Sequence, residues 1–116
     1  MMRWLMIPLF VLAAGCGSDT TEGTCGASTP ESCPSSAPSY ATDVAPLMQK
    51  YCVSCHSATG SEPGLLLDAQ SGVAGAADNV KSAVAGCSMP PSGGAAPTDA
   101  ERETILAWLV CGAQDN

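Results

Sequence analysis

The apolar and polar positions divide the chain into four stretches. Residues 4–14 are a run of eleven without a charged side chain. Residues 17–39 hold no large apolar residue at all. Over residues 42–51, Val44, Leu47, Met48 and Tyr51 fall at i, i+3, i+4 and i+7, the period of an amphipathic helix. Thr42 or Asp43 supplies its N-cap, and Pro46 falls in or near the first turn, where a missing N–H is tolerated. Over residues 99–111, Ile105, Leu106, Trp108 and Leu109 form a second, broader stripe. Thr98 with Glu101 reads as a capping box, and Asp99, Glu101 and Glu103 suit the positive end of that helix. Gly112 follows as its C-cap. Residues 57–97 read mostly as loop, with a short apolar patch at Leu65, Leu66 and Leu67. Val73, Ala77, Val80 and Val84 recur at helical spacing, but Gly72, Gly75 and many alanines weaken that segment. The pattern predicts an all-α domain with long loops and no internal repeat.

The first stretch is a targeting segment rather than part of the fold. Arg3 precedes the apolar run, and Ala13-Ala14-Gly15-Cys16 closes it. Eleven residues are too few to cross a bilayer as a helix. The arrangement is that of an export signal over residues 1–15. A small triplet ending in cysteine resembles a bacterial lipobox, with Ala13 where that signal usually has Leu. The resemblance implies that Cys16 is diacylated and becomes the first residue of a membrane-tethered protein. Gly17, in place of Asp, resembles lipoproteins sent to the outer membrane, facing the periplasm. An ordinary secretory signal with an incidental Cys16 is the competing reading. Residues 16–39 then form a linker, rich in Ser, Thr and Pro, that cannot bury enough surface to offset its ordering entropy. As a flexible chain residues 17–39 would reach about 25 Å. A single compact domain follows over residues 40–116.

Composition sharpens this picture in two ways. Four Lys and Arg face eleven Asp and Glu, a net charge of −7. That excludes a nucleic-acid binder, which needs a basic surface, and suits partners with basic docking surfaces. From Cys16 onward only 18 of the 101 residues are Val, Ile, Leu, Met, Trp or Tyr. So thin a supply leaves a domain of this size short of core, and a bound group in its middle would make up the difference.

Seven cysteines in 116 residues direct attention to the chemistry. Cys52-Val53-Ser54-Cys55-His56 is C-x-x-C-H, the attachment signature of a c-type haem. Two thiols three residues apart on a turn can each add to one vinyl group of the same porphyrin. His56, the only histidine of the chain, then falls beneath the iron as an axial ligand. The same spacing occurs in thiol oxidoreductases and zinc sites. The first would need a βαβ setting that is missing, and the second a further ligand pair that the single Cys87 and Cys111 do not supply. For the other axial position there are two methionines beyond Cys16. Met48 sits on the apolar face of the first helix and reads as core. Met89, in Cys87-Ser88-Met89-Pro90-Pro91, sits in a proline-stiffened loop before the last helix and is the candidate thioether ligand.

At this point residues 40–113 resemble the monohaem class I cytochrome c family, and most nearly its small lipid-anchored bacterial members. A helix entering C-x-x-C-H, a Gly-Leu-rich loop, a Met-Pro-Pro loop and a closing helix with Trp108 occur in the family's order. The resemblance implies the small cytochrome c fold, with first and last helices crossing beside one covalent haem. It implies that Trp108 and Tyr51 are packing residues. It also implies that the Pro63 carbonyl accepts the ring N–H of His56. Lys50, Lys81 and Arg102 are the cations available to haem propionates.

With Cys16 lipidated and Cys52 and Cys55 on haem, Cys25, Cys33, Cys87 and Cys111 remain. Three pairings are possible, and Cys25–Cys33 with Cys87–Cys111 is the preferred one. The functional expectation is a one-electron carrier and no enzyme, with His56 and Met89 filling both axial positions. Two other classes compete. One is a haem enzyme or a gas or redox sensor with an open iron position. The other is a haem-free lipoprotein whose Cys52 and Cys55 form a disulfide or bind zinc.

Overall fold

The computed structural model of the chain describes residues 26–91 and 93–116. The expected export signal over residues 1–15, the expected lipidation site Cys16, and Cys25 lie outside the described residues. Those described are helical, with no β-strand among them: α1 (Ala45–Tyr51), α2 (Gln70–Gly75), α3 (Ala77–Ala85) and α4 (Asp99–Val110). None of these helices is long and apolar enough to cross a membrane.

The first helix begins earlier than its apolar pattern suggests. A π-helical turn, Tyr40–Val44, runs directly into α1. Its cap is Ser39 rather than Thr42 or Asp43. The Ser39 Oγ accepts the Thr42 N–H at 3.4 Å, and the Asp43 carboxylate accepts the Ser39 N–H at 2.8 Å. The other orphan donors of this turn are met from far along the chain. The N–H groups of Ala41 and Tyr40 donate to Asn116, each at 2.9 Å. Val44 and Met48 point fully inward, as the periodicity requires.

Helix α4 is the fold's long axis, and both of its ends are built as expected. The Glu101 N–H donates to the Thr98 Oγ1 at 3.1 Å, and the Thr98 N–H donates to the Glu101 carboxylate at 3.2 Å. At the other end Gly112 takes a φ of +95°, which a side chain would resist. The Ala113 N–H then reaches back to the Trp108 carbonyl and the Gly112 N–H to that of Leu109. That pair of bonds is a Schellman termination. Between the ends, Ile105, Leu106, Trp108 and Leu109 are buried. The Trp108 indole packs on Tyr40 at 5.3 Å between ring centroids and donates to the Gln114 carbonyl at 2.9 Å.

The stretch expected to be mostly loop contains α2 and α3. Val73, Val80 and Val84 are the residues that bury these helices, and α3 lies against α4.

Two expectations about the cysteines and the linker are corrected. Cys33 is bonded to Cys111, with Cα atoms 4.7 Å apart. Cys87 is itself in a disulfide. Neither Cys25–Cys33 nor Cys87–Cys111 therefore forms. The reason is the course of residues 26–39, which climb alongside α4 instead of hanging free. Gly26 lies against Asp99, and the N–H and hydroxyl of Ser28 both donate to Glu103 at 3.2 Å. Ala27 is fully buried, and Cys33 arrives at the end of the helix where Cys111 stands. A cross-link spanning 78 residues stabilises by about 4.5 kcal/mol in the chain-entropy model. Covalent closure supplies the order that apolar residues do not.

Candidate functional site

A cavity of about 340 Å³ opens beside the core, within the size range of ligand and cofactor sites. Its walls are largely apolar. Leu65, Leu67, Val80, Val84 and Ile105 contribute from one helix or loop after another, and Pro90, Pro91 and Pro97 close one part of it. Cys52, Cys55, His56 and Met89 all line this same space. The structure thus brings together the four residues singled out from their spacing and chemistry.

The end of α1 sets the first three. Cys52 terminates the helix, its N–H still bonded to the Met48 carbonyl at 2.9 Å. The chain then turns tightly, with the N–H groups of Cys55 and His56 both donating to the Cys52 carbonyl, at 3.2 and 2.9 Å. The following loop folds back to hold this turn. The Glu62 N–H donates to the Cys55 carbonyl and the Leu67 N–H to the His56 carbonyl, each at 2.9 Å. Gly60 permits that return: a Cβ there would lie 2.2 Å from the Cys55 carbonyl oxygen.

Cys52 and Cys55 are not bonded to each other; both are free thiols. Burial pushes the Cys52 thiol above its ordinary pKa, with the Arg102 guanidinium pulling the other way. A thiol so held is poorly ionised, unlike the thiolate that an exchange catalyst needs. Among the described residues no three His, Cys, Asp or Glu side chains converge as a metal site requires.

The His56 Nδ1 is buried without a hydrogen-bond partner. The expected bond to the Pro63 carbonyl is therefore not made, because Pro63 is carried outward on the exposed part of the returning loop. An unpaired buried nitrogen costs about 1–3 kcal/mol unless something else meets it.

Met89 follows α3 and is 43% exposed. The N–H groups of Ser88 and Met89 turn to the Ala83 carbonyl, at 3.1 and 3.4 Å. Met48, by contrast, is sealed in the core. Of the three cations considered for propionates, Arg102 is buried and Lys81 lies 3.8 Å from Asp78. Lys50 stands 5.0 Å from the centroid of the Tyr51 ring, and Tyr51 lines the cavity. The Tyr51 hydroxyl donates to Glu101 at 3.0 Å, tying this wall to the start of α4. Both Tyr51 and Trp108 thus pack and also donate a hydrogen bond, Tyr51 at the cavity wall and Trp108 in the core.

Arg102 has a role that sequence reasoning, which gave it only as one of three cations, did not find. Its Nη1 donates to the carbonyls of Val84 and Met89, at 3.1 and 2.9 Å. The signal was its position three, four and seven residues before Ile105, Leu106 and Leu109, on the apolar stripe of α4.

No family model, no curated protein and no solved structure matches the chain.

Proposed function

We propose that this protein is a membrane-tethered one-electron carrier of the class I cytochrome c kind, with one covalent haem c. The observation that carries the reading is the convergence of Cys52, Cys55, His56 and Met89 on one apolar cavity, with both thiols free and the imidazole Nδ1 unpaired. The donor set fits the group. Cys52 and Cys55 would hold it by thioethers, each S–H adding across one vinyl C=C. His56 and Met89 would be the axial ligands, and Leu67, Val80, Val84 and Ile105 would face the ring system.

When bound, the haem supplies reversible one-electron Fe(II)/Fe(III) chemistry, and a thioether ligand raises its potential relative to two nitrogen ligands. The chain's own part is to bind, to position and to exclude water. The turn between α1 and Leu67 fixes both thiols and the imidazole on one rigid segment. With His56 and Met89 both holding the iron, no position would be left for a substrate, which separates this reading from a haem enzyme or gas sensor. Lys50, at the Tyr51 wall, is the cation available to a propionate. The acidic surface, at a net −7, favours weak, salt-sensitive docking of redox partners with basic surfaces. Diacylation at Cys16 would hold the domain on a bacterial membrane facing the periplasm, the outer membrane by the reading of Gly17.

The test is production in a bacterial host with and without c-type haem maturation. Colour that survives acid-acetone extraction, one haem per chain and only with maturation, is the expected result. Cys52→Ala with Cys55→Ala should abolish it. A colourless protein in which Cys52 and Cys55 are oxidised to a disulfide or hold zinc would overturn the proposal.

A further inference from the structure

Arg102 is buried, 4% exposed, at the fourth residue of α4. A guanidinium taken out of water needs strong compensation, and a carboxylate is the common one. Among the described residues the sole ion pair is Lys81 with Asp78, so Arg102 has no carboxylate at ion-pair distance. Its compensation is two backbone carbonyls, at Val84 in the last turn of α3 and at Met89 itself. The helix that carries Arg102 is fixed at both ends, by the capping box and by the Gly112 termination. Beyond Met89 the loop is exposed at Pro91, Gly93 and Gly94.

We propose that Arg102 is the positioning residue of the Met89 loop, its Nη1 holding the Met89 carbonyl so that the thioether stays at the cavity. Its positive charge, with no carboxylate at ion-pair distance among the described residues, would also favour the reduced form of a bound haem. The inference rests on the haem reading above, and it concerns how this chain keeps its weaker axial donor in place.

The experiment uses the haem-loaded protein, with Arg102→Met and Arg102→Lys beside the unmutated chain. Two quantities are read: the pH at which half of the ferric methionine–iron charge-transfer band is lost, and the reduction potential. Arg102→Met should keep covalent haem, since Cys52, Cys55 and His56 sit on another segment. It should lose the band at a pH at least one unit lower, and its potential should fall. Arg102→Lys, which keeps the charge and one donor, should recover most of both. A midpoint and a potential unchanged in Arg102→Met overturn the proposal. Should Arg102→Met fail to fold, the unmutated protein decides by proton exchange at the guanidinium. Exchange should quicken when imidazole displaces Met89, and exchange indifferent to imidazole overturns the proposal. An unmutated chain without covalent haem would instead overturn the reading beneath it, and that outcome is visible before any substitution is made.

Discussion

At the scale of single residues, the cavity is a meeting of donors that have little reason to meet otherwise. A buried imidazole nitrogen without a partner is an unfavourable feature in a protein of thin core, and two unbonded thiols line the same cavity. Met89 is partly exposed and contributes little to the packing. Met89→Ala should therefore leave the thermal unfolding midpoint of the haem-free chain within a few degrees, a change under about 1 kcal/mol. The same substitution should remove the methionine signature of the loaded chain. Trp108→Ala is the contrasting case. That side chain is fully buried and lies away from the donors, so its loss should cost about 3–5 kcal/mol in chemical unfolding. The donors were legible because C-x-x-C-H and a lone Met-Pro-Pro are local in sequence. Pro63 was misread for the opposite reason: which carbonyl meets the His56 ring depends on how a loop returns, and the residues do not encode that locally.

At the scale of elements, α4 was nearly complete in the sequence, because caps, apolar stripe and terminating glycine lie within fifteen consecutive residues. The helices α2 and α3 were not, because Ala and Gly carry little periodic contrast and tertiary packing makes up the rest. The cap of α4 also gives a pH dependence. The Glu101 carboxyl is held below the ordinary range, first by the Thr98 backbone N–H, with help from Tyr51 and Lys50. A carboxyl lowered in the folded state stabilises at pH above its unfolded value, near 4.3, and loses that contribution as the pH falls through the folded value. Glu101→Gln should therefore cost its full, constant loss of stability in the neutral region, with the gap to the unmutated chain closing as the pH falls below about 4.3, read by circular dichroism. The turn that carries the donors has its own weak point. Gly60→Ala places a Cβ against the Cys55 carbonyl and forces backbone to move. Haem loading should fall in that variant, together with a stability loss of about 1–3 kcal/mol.

At the scale of the whole molecule, the chain ties distant parts together with few apolar residues. Asn116 caps the first helical turn, Cys33 is bonded to Cys111, and residues 26–39 lie along α4. Neither the pairing nor this course was legible, since disulfide connectivity is a property of the folded path and not of cysteine counting. Cys33→Ser with Cys111→Ser should lower stability by about 2–5 kcal/mol. Haem attachment should persist, because the Cys52–His56 turn is held by its own loop. The central claim is that four donors around one cavity hold a covalent haem with both axial positions filled by protein. The visible spectrum of the chain matured with haem, ferric and then dithionite-reduced, tests it most directly. Sharp reduced bands indifferent to carbon monoxide, with a ferric methionine–iron band that disappears in Met89→Ala, are the predicted result. High-spin bands that shift with carbon monoxide or peroxide would contradict it, by showing an iron position that no residue of the chain fills.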